Sequence, residues 1–490
     1  MDSTTVLIAG AGPVGLMLAG ELGLAGVRAV VVDARPQADD NWRVSTFHQR
    51  SLEVFERRGL AEKLRGEGFY TWPTLHFGML WLDLTKVTDQ DNYLVEMARV
   101  EALLEERAVG LGAEILRGRE VVGVDADQDG VTVRLRAAGG GTTTETTVRT
   151  DYLIGCDGSD SVVRRLAGFE TVEEGPSWYG VLADLETYEG QIEAQLYPGG
   201  VFGAMPDPQR GLYRLQTIEF DIEPPAADTP VTIEELGTNI ERLTGGTREI
   251  ANARWLRRYA GRTQFVTEYR RGRVLLAGDA AHHHLFTAGH GLNTGLNDAV
   301  NLGWKLAAEI RGRAPAGLLD SYSAERQPVG ERACRALRAQ IALMYPLESV
   351  APLRALLTDL IGYDDVNRHL VTMVSDVRYP FEAAADAPES PLLGRPVPNV
   401  RIRTADGTVG IADTLQSGHG VLLDLSAGVA DLTALGAWSD RVDVVVAEPE
   451  PALDAALVLV RPDGFVAWLG NAAATGLDAA LTTWFGSAEH

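Results

Sequence analysis

The first thirty or so residues switch hydrophobic period twice. Residues 6–10, VLIAG, are a short unbroken apolar run, the pattern of a strand buried on both faces of a parallel sheet. The stretch PVGLMLAGELGLAG predicts a helix that opens at Pro13, where a missing N–H costs nothing, and stops near Gly26. A second apolar run, VRAVVVD, predicts a strand ending at Asp33. Residues 100–116, VEALLEERAVGLGAEIL, read as helix then strand, and EVVGVDADQDGVTVRLRA as two strands joined by an acidic turn at Gly130. DYLIGCDGSDSVVRRLAG (151–168) predicts a strand, a tight turn at Asp157 and Gly158, and a helix start at Ser161. Residues 178–270 read as alternating strands and predict an inserted sheet. RGRVLLAGDAAHHH (271–284) is a buried strand and a loop, after which Leu292, Leu296, Ala299, Leu306 and Ile310 recur at helical spacing until Gly312 and Pro315.

Together these elements predict an α/β (α+β) chain. A Rossmann-like domain spans 1–175 and 271–381, and an inserted mixed β-sheet domain spans 176–270, joined by part of 70–98. The Ala- and Pro-rich stretch 382–399 reads as a linker, and 400–490 as a small α/β domain.

The turn after the first strand adds chemistry. GAGPVG places Gly10 for the tight turn, Gly12 for close approach of a pyrophosphate and Gly15 for helix–strand packing. A helix N-terminus follows, with free N–H groups for phosphate. Asp33 ends the second strand about 20 residues on, where a carboxylate can accept from ribose hydroxyls. A GxGxxG alone is weak in a chain with 53 glycines; its strand, helix and acid make it specific.

Charge narrows the partners. The formal net charge of −24 disfavours nucleic acid and anionic lipid, and the acidic residues are spread as on a solvated surface. Two cysteines, Cys156 and Cys334, without CxxC, exclude a disulfide framework and a Cys-based zinc site. There is no signal-peptide pattern and no apolar run near the ~20 residues needed to cross a bilayer, so a cytoplasmic chain is expected, as monomer or homodimer. The run HHHLFTAGHG (282–291) suggests a metal, but successive residues of an extended loop point to opposite sides, and no partner segment stands out. No metal is expected.

Three motifs in order, GAGPVG at 10–15, CDGSDSVVR at 156–164 and RVLLAGDAAH at 273–282, resemble the class A flavoprotein monooxygenases, the group that includes para-hydroxybenzoate hydroxylase. The helix GLNTGLNDAVNLGWKLA and the segment LLDSYSAERQPVG match as well, and the tail is similar to the thioredoxin-like C-terminal domain of aromatic-polyketide hydroxylases, here without CxxC. The resemblance implies FAD, held by Gly10, Gly12, Pro13, Val14, Gly15, Asp33, Arg35, Arg43, Met97, Asp157, Gly278, Asp279, Ala288, Gly289, Gly291, Leu292 and Asn293. It implies NADPH or NADH as transient co-substrate, a C4a-hydroperoxyflavin, and hydroxylation of a large aromatic or polyketide-type small molecule. No side chain needs to be a nucleophile in such chemistry. Trp72, Phe77, Tyr179, Phe202, Met205 and Phe286 are candidate substrate-lining residues, and Arg43, Phe286 and His290 candidate catalytic ones.

The sequence departs from that family at four positions. Phe286 stands where a proline is usual, Ala288 for a glycine, His290 for a glutamine or lysine, and Met97 for a glutamine that contacts the flavin side chain. These departures keep a second reading open: a non-redox tailoring enzyme, such as a decalin-forming [4+2] cyclase, in which FAD is structural.

Overall fold

A computed structural model describes residues 3–38, 44–65, 69–72, 74–87, 91–137, 145–207, 210–226, 229–285, 289–381, 390–430 and 432–488. Its first sheet has a parallel core in the order Val274–Leu276, Thr146–Gly155, Ser3–Ala9, Ala29–Asp33, Glu114–Arg117. The apolar runs are unbroken because both faces of these strands are covered, and Val6, Leu7, Ile8 and Leu153 are fully buried. The antiparallel ribbon Arg119–Ala126 and Val131–Ala137 extends the Thr146 strand. Helix Pro13–Leu24 packs on helix His290–Ile310, where a Cβ at Gly295 would run into Val14.

The inserted region is a mixed layer, which corrects the all-strand expectation. Its sheet runs Glu193–Tyr197, Gly200–Asp207, Leu212–Phe220, Thr171–Glu189, Glu249–Val266, His282–His283. Between two of these strands lies a helix, Ile233–Thr244, capped by the Thr232 hydroxyl on the Glu235 N–H and ended by Gly245 in the left-handed region. Leu236, Ile240 and Leu243 of that helix pack on Val181, Ala183, Leu185, Phe202, Ala204 and Leu215. Strand alternation then turns Leu182, Asp184, Met205, Arg214 and Gln216 to the other face, where Arg214 forms a two-bond ion pair with Asp184. Trp178 is on that side too, with its ring 5.2 Å from that of His283, and it clusters with Leu285 and Met344.

The C-terminal sheet runs Val442–Val446, Gly420–Asp424, Leu457–Val460, Val466–Gly470, backed by helix Leu477–Phe485. The linker expectation ran too far: Pro396 bridges Phe465, and Val397 belongs to the core of this region. The tail docks through buried charge. The Arg461 guanidinium lies 2.7 Å from Glu325, pairs with Asp463, and is ringed by Trp304, Tyr379, Phe381, Phe465 and Trp484. Lys305 Nζ lies 2.9 Å from Glu325, at ion-pair distance but poorly angled for a hydrogen bond, and burial pulls its pKa down to about 7 against the pull of Glu325. Arg58 binds Glu21 and donates to the Leu415 and Pro462 carbonyls. Among the described residues no helix is long and apolar enough to cross a membrane.

Candidate active site

The glycine turn is built by exclusion of side chains. Gly10 has φ +106°, and a Cβ there or at Gly15 would run into the carbonyl oxygen of Cys156 or Gly10. A Cβ on Gly12 would meet nothing within 4 Å, so the backbone there faces open space. Pro13 and Val14 begin the helix, whose N-cap, Gly12, makes no side-chain bond and leaves the first N–H groups available. Asp33 is committed on both oxygens: Oδ2 accepts from the Ala11 N–H at 2.7 Å, and Oδ1 from the Arg35 N–H at 2.8 Å and Nε at 3.0 Å. Burial pushes the Asp33 pKa up, but Arg35 and the two amides hold it below the usual range. Arg35 also reaches Glu101, at 3.6 Å, in the helix that begins with buried Met97.

Asp157 caps the helix of its own motif, accepting from the N–H groups of Val162 at 2.8 Å and Val163 at 3.1 Å. Arg164 ties this motif to the third by donating to the Ala280 carbonyl at 3.0 Å. Asp279 follows Gly278 in a short 3₁₀ turn, and its side chain is 48% exposed. Partial desolvation raises its pKa, but His283 and the flanking histidines outweigh that and lower it.

Beneath this turn is a network that local sequence patterns do not reveal. His282 Nε2 lies 2.7 Å from Asp298 Oδ2, and Asp298 Oδ1 accepts from Arg326 Nε at 2.7 Å. Gly278 donates its N–H to the same Asp298, and Arg326 goes on to the Tyr379 hydroxyl and the Thr294 carbonyl. His284 points elsewhere, to the Leu285 carbonyl. Its burial holds its pKa down to about 4.

The third motif ends at the N-terminus of helix His290–Ile310. Gly289 has φ +73° and lies so close to Thr46 that a Cβ would strike its carbonyl. Asn293 latches the strand Val44–His48: its Oδ1 accepts from the His48 N–H at 2.9 Å, and its Nδ2 donates to the Thr46 and Gly289 carbonyls at 2.8 Å. A Cβ at Gly291 would lie 3.4 Å from Asp279, so this helix end and that carboxylate face one space, and Leu292 packs on the main core. The His290 ring is buried, 5.1 Å from the His48 ring, and burial pushes its pKa well down. Arg43, Phe286 and Ala288 lie outside the described residues.

Three of the substrate candidates belong to cores, a correction to the sequence reading. Tyr179 bonds Glu235 at 2.7 Å on the helix side of the sheet, and Phe202 is fully buried in the same layer. Phe77 is buried with Leu75, Leu343 and Val371. Trp72 is half-buried on the segment beside Asn92, and Met205 is exposed on the sheet face opposite the helix. That face also carries Trp178 and Tyr259, which the sequence reading passed over. The period-2 rule sets Trp178 against Tyr179, and recognising the Ile233–Thr244 helix would have shown which of them it covers.

A turn with open backbone at Gly12, an uncapped helix start, and a half-open carboxylate facing a second helix N-terminus fit an elongated anionic cofactor. The FAD binding domain family matches residues 3–336, and the C-terminal family of aromatic-ring hydroxylases matches 390–488. The chain therefore belongs to the class A flavoprotein monooxygenase family, and its cofactor is FAD. The dialkyldecalin synthase of Streptomyces rugosporus is 41% identical over 99% of this chain and 100% of its own. The anhydrotetracycline monooxygenase of Streptomyces rimosus is 39% identical over 98% of each chain. The structure of OxyS anhydrotetracycline hydroxylase from Streptomyces rimosus superposes with a TM-score of 0.88 at 38% identity, covering 99% of both chains.

Proposed function

We propose that the chain hydroxylates a large aromatic or polyketide-type molecule, using NADPH or NADH and O2. The observation that carries this reading is the set of three FAD motifs packed against one another, Gly10 on Cys156 and Gly295 on Gly278, in a chain similar over 98% of its length to anhydrotetracycline monooxygenase. In this reading residues 1–175 with 271–381 hold FAD, 176–270 face the substrate, and 400–490 are a thioredoxin-like buttress. The N–H groups after Gly12 bind the pyrophosphate, with Pro13 and Val14 setting the helix start. Asp33, fixed by Arg35 and Ala11, stands at the ribose, and Asp279 accepts from the ribityl chain. Asp157, Gly158 and Met97 flank the cofactor, and the N-terminus spanning Gly289, Gly291, Leu292 and Asn293 offers its positive dipole end to the ring. Bound FAD supplies the redox chemistry by which one atom of O2 reaches the substrate. The sheet face with Trp178, Met205 and Tyr259 excludes water and orients the substrate.

The likeness to a dialkyldecalin synthase supports a second reading, a non-redox cyclase in which the same pocket folds a polyene. The deciding experiment runs the holoenzyme with substrate anaerobically and without NAD(P)H. The hydroxylase reading expects no product there, and ¹⁸O in the product formed under ¹⁸O2. Equal product in both conditions would establish the cyclase.

A further inference from the structure

A small pocket lies where the helix Gln49–Glu56 and the helix His290–Ile310 begin, at the junction with the C-terminal region. It is lined by Arg50, Ser51, Arg57, His290, Arg326 and Phe465 among others, and no described residue that lines it is acidic. In a chain of net charge −24, the three guanidinium groups on this small cavity outnumber the two carboxylates they pair with, Glu53 and Asp298, and leave the wall net positive. About 50 Å³ is open to the centres of water molecules, space for a few waters or one oxyanion.

Two buried polar atoms on its wall have no protein partner: Ser51 Oγ, in a residue with 0% exposure, and His290 Nδ1, in one with 6%. An orphan of this kind is costly unless something in the cavity bonds to it. Both helices begin here without a side-chain cap, so their positive ends add to the field. Arg50 spends one nitrogen, Nη1, on Glu53, and Arg57 makes longer contacts, 3.2 Å to Glu53 and 3.3 Å to the Asp463 carbonyl. The cavity adjoins the space below the flavin motifs and shares the start of the helix His290–Ile310 with it. Gly291 and Gly295 face Asp279, Gly278 and Val14, whereas His290, Asn293, Thr294 and Asn297 take an adjoining face of the helix.

We infer that this pocket is a binding site for a tetrahedral oxyanion, a phosphoryl group, held by Arg50, Ser51, Arg57 and His290. Arg50 and Arg57 provide charge-assisted donors, Ser51 a hydroxyl, and His290 a neutral imidazole that donates from Nδ1. Two sources share that chemistry: inorganic phosphate, and a phosphoryl group of the nicotinamide dinucleotide.

The test titrates inorganic phosphate into the FAD-loaded enzyme in chloride buffer at constant ionic strength, read by calorimetry and by the shift in Tm. The inference expects saturable binding, weakened about ten-fold or more in Ser51→Ala and in Arg50→Gln. Ser51→Ala keeps its FAD and its Tm in chloride, since Ser51 bonds no protein group, while Arg50→Gln keeps its FAD but lowers the Tm in chloride because Glu53 loses one of its two arginines, so its phosphate response is read as the shift from its own baseline. Absence of saturable binding, or an equal response in wild type and both variants, overturns it. Competition of phosphate with NADPH but not NADH assigns the site to the 2′-phosphate, and competition with both to the pyrophosphate. Binding without competition assigns it to free phosphate. The titration needs no turnover, so its failure is distinct from failure of the hydroxylase reading.

Discussion

Asp298 serves three donors with two oxygens, and all of them are buried. Asp298→Ala leaves the Arg326 guanidinium without a counter-charge in the core, so about 3–5 kcal/mol of stability is lost, as read by urea unfolding. A loss below ~1 kcal/mol would remove this network from the scaffold. Asp279→Ala behaves differently, because its carboxylate is half open: it weakens FAD retention by about 1–3 kcal/mol with little change in fold, measured by FAD titration of the apoprotein. Histidine titration gives the pH dependence. Burial holds His76 and His284 down to about 4 from an ordinary 6.5. Above 6.5 both states are neutral; below it the unfolded chain takes a proton that the folded chain refuses. Stability is therefore full above pH 6.5 and lost as pH falls toward 4, by up to about 1.4 kcal/mol per pH unit for each histidine. Urea midpoints at pH 7, 6 and 5 check this, and His76→Phe flattens part of the slope. Midpoints that stay level from pH 7 to 5 contradict it. The three glycine and aspartate motifs were legible because each is local, a strand and its following turn. Asp298 and Arg326 were not, because their partners come from separate segments and no spacing rule links them.

At the scale of elements, the parallel strands and the long helix after Gly289 declared themselves by period, while the helix Ile233–Thr244 was hidden among strand-like runs. Its signals were present: Thr232 three residues before Glu235, apolar Leu236, Ile240 and Leu243 at helical spacing, and Gly245 at the end. Missing it left the two faces of the sheet undistinguished, which is why Tyr179 and Phe202 stood among the pocket candidates. The two faces predict opposite phenotypes. Phe202→Ala, in the layer under the helix, costs about 3–5 kcal/mol of stability. Met205→Ala, three residues on and 39% exposed, changes stability by less than ~0.5 kcal/mol and shifts substrate KM. Thermal unfolding and steady-state kinetics on the pair decide the matter, and a large Tm loss for Met205→Ala with no change in KM would place the substrate elsewhere.

At the scale of the whole molecule, the C-terminal region reads in sequence as a separable domain behind a Pro-rich linker, and the contacts make it something else. Lys305, Glu325, Arg461 and Asp463 are all buried, two from the long helices and two from the tail, and each balances another. Such a cluster is a poor source of stability when intact, because removing charges from water costs about as much as their attraction returns. Its consequence lies in what happens when one side leaves: Lys305 and Glu325 would face an opened interface, Arg58 would lose the Leu415 and Pro462 carbonyls, and the Tyr379 ring its stacked partner Phe465 at 4.3 Å. Undocking and unfolding are thereby coupled, and the full chain is expected to show one calorimetric transition in spite of its several sheets. Arg461→Met, which the aromatic ring around it can hold, leaves Glu325 and Asp463 with Lys305 as nearby cation and Asn301 as shared donor, and lowers that single transition by about 3–5 kcal/mol. Two resolved transitions in the wild-type scan, or an Arg461→Met chain that unfolds like wild type, would show that the tail folds and docks independently of the FAD-binding sheet.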